Sequence, residues 1–401
     1  MKIVQINTVC ETGSTGKITA NLYKTAQDVM MTPYVAYGRG TASDEISSYK
    51  IGNPLDFACH VLINFFLGQS GFGSKSVTKR FLKWLDDIRP DILHLHNLHG
   101  FYIHVGMLFS YIKSHNIPVV WTLHDCWPLT GQCAFFDYSG CRKWRTGCFQ
   151  CPVYRSDYPY SLFKDNSRQN YLLKKAIFTG VKNLTIVTPS HWLADIVKQS
   201  YLQKYPVTVI PNGIDLNIFK PSSVPVSTND NKKIVLGVAN NWEHRKGLDF
   251  FLQLADELDS SYHIVLIGVR NKQQTMIQTK YGNRITALTR TSNQAELAEW
   301  YNRAYVYVNP TLEDNFPTTN LEALACGTPV ITFNTGGSSE SITNQCGIVV
   351  EKGNLEKLKE AILSLEKRTE ITSLACCEQA IFYDSGVRFQ EYIQLYQKLL
   401  I

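Results

Sequence analysis

The sequence predicts an α/β protein of two units in series, each repeating strand, loop and helix. Three observations carry that prediction. Residues 2–7 (KIVQIN) form a short apolar strand, residues 12–17 (TGSTGK) a glycine-bearing turn, and residues 18–29 a helical pattern; strand, turn and helix in that order open a nucleotide-binding α/β unit. The same alternation restarts at residues 234–239, after a Pro-, Ser-, Asn- and Asp-rich stretch at 221–231 that has linker composition. The 401 residues suffice for two domains with full cores, and 44% hydrophobic against 18% charged residues excludes a disordered chain.

Charge and cysteine usage narrow the setting. Of the net charge of +6, residues 1–205 carry +9 and the remainder −3. A basic first half suits an anionic lipid surface, nucleic acid or a phosphorylated substrate. The N-terminus (MKIVQINTVCETG) turns polar too soon for a signal peptide, and no run of 18 apolar residues is long enough to span a membrane. A cytosolic setting is therefore expected, with the 11 cysteines held as reduced thiols or metal ligands.

The elements follow in order. The turn at 12–17 is not a Walker A loop, which needs a glycine where Glu11 stands and Ser or Thr where Ile18 stands. What survives is that Gly13 and Gly16 let a backbone approach a ligand. Residues 33–37 give a second strand. Residues 57–67 are very apolar, and residues 75–85 (KSVTKRFLKWL) are basic and amphipathic; such a helix rests either on a membrane surface or, the favoured reading, with its apolar stripe on the core. Residues 91–97 (DILHLHN) and 119–125 (VVWTLHD) are strands ending in His and polar residues. His94 and His96 share one strand face; with His99 they suggest either a metal cluster or, preferred, hydrogen-bonded histidines at a strand end. His124 and Asp125 lie at a strand's carboxyl end, where functional groups of this architecture sit.

Cys133, Cys141, Cys148 and Cys151 then fall within one short loop, QCAFFDYSGCRKWRTGCFQC. The last two have the C-x2-C spacing of zinc ligands, and four thiolates complete a closed tetrahedral structural site with no open catalytic position. Free thiols, with perhaps one redox pair, are the alternative. Further on come a strand at 184–189, a helix from His191 capped by Ser190, a strand at 207–210 and a Pro-Asn-Gly turn at 211–213.

In the second half, strands are expected at 234–239, 262–268, 285–288, 305–308 and 330–333, and helices at 248–258, 295–301 and 387–400. The loop at 240–246 (NNWEHRK) enters the first of these helices through Gly247. Residues 312–330 (LEDNFPTTNLEALACGTPV) set an acidic pair, Glu313 and Asp314, after a strand and just before a helix that opens around Glu322. A helix N-terminus there suits a phosphate, while a carboxylate accepts from sugar or ribose hydroxyls. The stretch reads as a site for a phosphate joined to sugars.

With RKG, PNGID and this acidic block in hand, the chain resembles the nucleotide-sugar-dependent retaining glycosyltransferases of family 4. TGSTGK, TLHD, PSHW, VIPNGID, RKG and EALACGTPV occur in the family's order, and LHNLHG, HDCWPLTGQC and DNFPTTNLEALACGTPV are similar to bacterial members that assemble capsule, exopolysaccharide or O-antigen. The resemblance implies the GT-B fold: two Rossmann-like α/β domains facing across a cleft. The division expected is an acceptor domain at 1–205 with a cysteine-rich insertion at 126–152, a nucleotide-sugar domain at 206–385, and a C-terminal helix at 386–401 packing back on the first domain. Two departures stand out. The family's two acidic residues are separated by seven, which fits Asp314 and Glu322 rather than Glu313. A family Arg five residues before the Lys is Asn241 here, and Arg245 substitutes.

The resemblance further implies a site. Arg245 and Lys246 hold the diphosphate and stabilise charge on the leaving phosphate, with no metal needed for that task. Glu322 accepts from the ribose, and Asp314 with the backbone near Asn315 and Thr319 holds the donor sugar and phosphate. Gly16 approaches the diphosphate, and His124 contacts the sugar near the reaction centre. The donor is a nucleotide sugar, UDP favoured; the acceptor is a glycan or polyprenyl-diphosphate-linked surface polysaccharide. Peripheral contact with an anionic membrane on its inner face is expected, and no nucleic acid. Structural zinc is the one metal expected. The rivals are a GT-B sugar-nucleotide epimerase and a cysteine-stapled nucleic-acid-binding module, the latter disfavoured because the basic residues are scattered.

Overall fold

A computed structural model describes residues 1–222 and 232–400. Most of the linker at 221–231 lies outside the described residues. The chain divides into two compact units, one of residues 1–211 and 388–401, the other of residues 212–387.

The first unit contains β1 (Lys2–Val9), α1 (Gly13–Asp28), β2 (Thr32–Arg39), β3 (Ser48–Lys50), α2 (Pro54–Leu67), α3 (Lys75–Ile88), β4 (Ile92–Leu95), α4 (Val105–His115), β5 (Val119–Thr122), α5 (Ser167–Phe178), β6 (Leu184–Thr188), α6 (His191–Lys198) and β7 (Val207–Val209). Its sheet has the order β3-β2-β1-β4-β5-β6-β7, and every neighbouring pair is parallel. Every residue of β4, β5 and β6 is buried, the pattern of strands covered by helices on both faces. The strand at 207–209, placed by the sequence with the second domain, pairs with β6 and closes the first sheet. Helix α6 has the expected cap: the Leu193 N–H donates to Ser190 Oγ at 3.1 Å.

Helix α3 settles the question its sequence left. Val77, Phe81 and Leu85 are buried in the core, and Lys75, Lys79, Arg80 and Lys83 face solvent. Its apolar stripe is core.

The second unit contains β8 (Lys233–Val238), α7 (Leu248–Glu257), β9 (Tyr262–Ile267), α8 (Asn271–Tyr281), β10 (Ile285–Leu288), α9 (Gln294–Arg303), β11 (Val306–Asn309), α10 (Thr318–Ala325), β12 (Val330–Phe333), β13 (Gly347–Val350), α11 (Leu355–Ser364) and α12 (Ser373–Ile381). Its all-parallel sheet has the order β10-β9-β8-β11-β12-β13. In each sheet the strand order reverses once beside the first strand, between β1 and β4 and between β8 and β11. Ligands of open α/β sheets bind outside the carboxyl ends of strands at such a point.

The last helix, α13 (Ser385–Leu399), runs into the first unit, where Phe389, Tyr392, Ile393 and Tyr396 join a buried cluster with Ile3, Leu22, Ile92 and Val120. Among the described residues no helix is long and apolar enough to cross a membrane.

Candidate functional site

The second unit's reversal point is built from two loops, one after β8 and one after β11. The first passes through a single 3-10 turn, His244–Lys246, and Gly247 into α7. Gly247 has φ of 77°, and a Cβ there would lie 2.2 Å from the Pro310 carbonyl oxygen. Glycine therefore lets this turn press against the loop that follows β11. Two hydrogen bonds fix the contact: the Leu312 N–H donates to the Arg245 carbonyl at 2.7 Å, and Thr311 Oγ1 donates to the same oxygen at 3.3 Å.

This backbone contact brings the charged side chains together. Lys246 Nζ donates to Asp314 Oδ2 at 2.5 Å, and the other Asp314 oxygen accepts the Asn315 N–H at 2.9 Å. Arg245 Nη1 donates to the Glu313 carbonyl at 3.3 Å, and its Nε stands 3.4 Å from Glu243 Oε2. Burial alone would raise the Asp314 pKa; Lys246 and then Arg245 outweigh it and hold the carboxyl below its ordinary 3.8. Asp314 is thus the ionised partner of Lys246.

Supports that the sequence reading did not single out hold this loop. Asn212 Nδ2 donates to the Phe316 carbonyl at 2.9 Å, and Thr335 Oγ1 to the Leu312 carbonyl at 3.0 Å. A Cβ on Gly336, whose φ is 54°, would lie 1.7 Å from the Asp314 carbonyl oxygen. The Gly-Gly pair after β12 was the available signal.

Helix α10 begins at Thr318, with Pro317 as its N-cap, four residues before the expected opening at Glu322. Thr318, Thr319 and Asn320 have loop composition, but the proline sets the entry angle and Asn320 is buried. It accepts from Asn309 Nδ2 at 2.8 Å and donates to the Ser338 carbonyl at 2.9 Å, fixing the helix to the sheet. Thr319 and Glu322 therefore lie one turn apart on one helix face. Thr319 hydrogen-bonds Tyr307, and the Tyr301 hydroxyl donates to Glu322 Oε2 at 2.9 Å. The unit thus gathers Arg245, Lys246, Asp314 and Asn315 in one cluster, with Thr319 and Glu322 on the adjoining helix.

In the first unit, Gly16 is buried in the first turn of α1, and a Cβ there would lie 3.2 Å from the Glu11 nitrogen and from Val9 Cγ2. Glu11 binds the Ser43 N–H at 2.6 Å and Ser43 Oγ at 2.9 Å, tying the glycine turn to the loop after β2. His124 Nε2 lies 3.1 Å from His96 Nδ1. Burial pushes His124 down to about 4 against the opposing pull of Asp125, so its imidazole is neutral. His94 bonds Tyr396 at 2.6 Å and Thr122 at 2.8 Å, and His96 bonds Gln5 at 3.2 Å. His99 Nε2 pairs with Asp125 Oδ2 at 2.7 Å. Each of these histidines is thus held by hydrogen bonds at the strand ends.

The four clustered cysteines, Cys133, Cys141, Cys148 and Cys151, line a single small cavity with Trp144 and Phe149. None of the cysteines is in a disulfide. Cys133 and Cys151 share a hydrogen bond that raises the pKa of the first and lowers that of the second. The Gly131 N–H donates to Cys148 Sγ at 3.2 Å. Among the described residues no group of three or more His, Cys, Asp or Glu side chains stands arranged to hold a metal ion. Beside them lies a buried lysine that the sequence reading passed over. Lys174 of α5 donates to the Trp127 and Thr130 carbonyls at 2.8 and 3.1 Å, and burial lowers its pKa to about 7.

Two family models match the chain. "Glycosyltransferase Family 4" matches residues 42–218, and "Glycosyl transferases group 1" matches residues 232–368. A colanic acid biosynthesis glycosyl transferase of Escherichia coli (strain K12), WcaC, is 24% identical over the whole of both chains. An N,N'-diacetylbacillosaminyl-diphospho-undecaprenol α-1,3-N-acetylgalactosaminyltransferase of Campylobacter jejuni is 27% identical across 52% of this chain and 58% of its own length. Among solved structures, sucrose-phosphate synthase of Thermosynechococcus elongatus has a TM-score of 0.74 at 16% identity, covering 100% of this chain and 99% of that one. Anabaena HepE in complex with UDP has a TM-score of 0.67 at 15% identity, covering 99% of this chain and 100% of that one.

Proposed function

We propose, for a chain that belongs to glycosyltransferase family 4, that it moves a sugar with retention from a nucleotide sugar to a lipid-linked surface-polysaccharide acceptor. The observation that carries this reading is the Lys246–Asp314 pair at the second unit's reversal point, with Arg245 beside it. A diphosphate placed there draws Lys246 and Arg245 to its oxygens, where negative charge grows as the glycosidic bond breaks. Asp314, relieved of Lys246, then accepts from a donor-sugar hydroxyl. The Asn315 and Thr319 region supplies N–H donors, and Glu322, steadied by Tyr301, accepts from the ribose. Since two fixed cations serve the phosphate, the transfer step uses no divalent metal in this reading.

Gly16 and His124 of the first unit take roles by resemblance to the family. Gly16 admits the diphosphate closely, and the neutral His124 imidazole exchanges a hydrogen bond with the donor sugar. In same-face attack the acceptor oxygen forms its bond to the anomeric carbon on the side the phosphate leaves, and the departing phosphate oxygen takes the acceptor's proton. UDP is the first donor nucleotide to test, because a neighbour of the same fold is in complex with UDP. The expected result is that UDP-sugars raise the melting temperature above the effect of GDP- or ADP-sugars, and that the stabilising sugar is transferred to a lipid-linked acceptor. Epimerised donor in the absence of acceptor overturns the transferase reading.

We also propose one structural zinc ion for the cysteine-rich loop. The four thiols already share a cavity, and the Gly131 N–H···S bond is one that thiolate ligands accept. Binding draws the loop in, since no three ligands yet stand at coordinating geometry. Such closure gives a metal staple most of its stabilising effect.

A further inference from the structure

In the second unit the loop after β8 and the loop after β9 are clamped together at the carboxyl ends of their strands. Gly268 opens the second loop with φ of 93°, and a Cβ there would lie 1.6 Å from the Ala239 carbonyl oxygen. Glycine lets the two strand ends come this close. Trp242, buried in the core, donates from Nε1 to the Ile267 carbonyl at 3.0 Å. Gln273, in the first turn of α8, completes the clamp. Its Oε1 accepts the Arg270 N–H at 2.9 Å, and its Nε2 donates to the Trp242 carbonyl at 2.9 Å.

The clamp sets one side chain. Arg270 Nε donates to Asn241 Oδ1 at 2.6 Å. Asn241 Nδ2 donates in turn to Glu243 Oε1 at 3.3 Å, and Glu243 Oε2 stands 3.4 Å from Arg245 Nε. A string of polar contacts thus runs from Arg270 to the arginine beside Lys246. Two carboxylates of this neighbourhood are already engaged: Glu243 with Asn241 and Arg245, and Asp314 with Lys246. The terminal nitrogens of Arg270 have no hydrogen-bond or ion-pair partner among the described residues.

An exposed arginine that serves solubility alone gains nothing by giving up rotamer freedom. One gripped through Nε, with both Nη groups open, is preorganised for a bidentate anion such as a phosphate. Arg270 lies past the carboxyl end of β9, next to β8, at the same end of the sheet as Lys246. Arg245 is divided between Glu243 and the Glu313 carbonyl, whereas the Arg270 fork is left for a ligand.

We propose that Arg270, held by Asn241, is a third cation of the donor site and binds the diphosphate of the nucleotide sugar through its terminal nitrogens. This role rests on the donor-site reading of Lys246 and Asp314, so the test includes Lys246→Ala. Calorimetric titration of the full chain with UDP, GDP and ADP gives the dissociation constant of the tightest nucleotide. Arg270→Gln is expected to weaken it about tenfold, the effect of losing one charge-assisted contact. The deficit narrows as sodium chloride is raised, because screening weakens the same contact in the wild type. Arg270 is exposed, and an unchanged melting temperature shows that the variant is folded. Asn241→Arg with Arg270→Asn returns the affinity to within about threefold of wild type, since the two side chains meet and either position brings a guanidinium to that place. Full affinity in Arg270→Gln beside a loss in Lys246→Ala overturns the role of Arg270 and leaves the donor site standing. A deficit unmoved by salt overturns it too, because a purely structural loss is not screened. If none of the three nucleotides binds the wild-type chain, the donor site itself falls and Arg270 with it.

Discussion

Lys246 Nζ and Asp314 Oδ2 stand 2.5 Å apart, although 68 residues separate them in the chain. The pair is partly shielded from solvent, so each charge depends on the other until a ligand replaces one of them. Lys246→Ala is expected to reduce kcat/KM by about 10²–10³-fold, the effect of losing one group that stabilises charge in the transition state. Lys246→Arg should recover only part of this, because a planar fork does not reproduce a point charge. Steady-state kinetics with the preferred nucleotide sugar measure both; wild-type rates in Lys246→Ala would sink the site assignment.

The same pair makes an acid limb. Asp314 has a folded pKa below 3.8, so its contribution to stability is present above that value and fades as pH falls through the folded pKa. The first unit responds earlier. Burial holds His94 and His96 well below 6.5 and His60 and His124 at about 4. A depressed histidine is neutral in the fold while the unfolded chain takes up protons. Stability is therefore whole above pH 6.5 and declines toward pH 4, by up to about 1.4 kcal/mol per pH unit for each such histidine. Melting curves from pH 7.5 to 5 should fall, and His96→Gln should flatten them; curves independent of pH would contradict the buried network.

Tyr301 holds Glu322 by one hydrogen bond and touches no proposed ligand. Tyr301→Phe should therefore raise KM for the nucleotide sugar by about 3–10-fold, the net value of one ordinary hydrogen bond, with kcat nearly unchanged. A change confined to kcat would show that Glu322 acts in the chemical step instead.

The zinc proposal is decided by metal content. One zinc per chain is expected in protein purified without added metal, with loss of zinc and a lower melting temperature in Cys148→Ser. Transfer activity at permissive temperature should survive a mild chelator that does not strip the staple, because Arg245 and Lys246 serve the phosphate. Protein free of zinc, with the four thiols titrating as free groups, would leave the thiol-pair alternative.

Much of this was legible beforehand, and for a definite reason. Parallel strands buried on both faces are near-continuous apolar runs, so 330–333 matched β12 residue for residue, and the apolar run at 285–288 matched the half-buried edge strand β10. The spacing count that singled out Asp314 rather than Glu313 picked the carboxylate that pairs with Lys246. What escaped depended on contacts that a linear reading cannot supply. Gly336 matters because its missing Cβ lies against a carbonyl of the acidic loop, and Asn320 is a helix residue because two buried partners claim its amide. Helix α2, for which the sequence showed only a very apolar run at 57–67, is the opposite case. An apolar run implies burial, whereas here the buried residues are the polar ones.

Helix α13 has a consequence for the order in which the molecule is made. His94 Nδ1 takes the Tyr396 hydroxyl as its partner at 2.6 Å, across 302 residues of chain. A ribosome delivers β4 early and α13 only after all of residues 212–387 have emerged. The first unit thus waits, with part of its core uncovered, while the second is completed. Its final closure is a late event in the life of each newly made chain, and the second unit is free to reach its native form first.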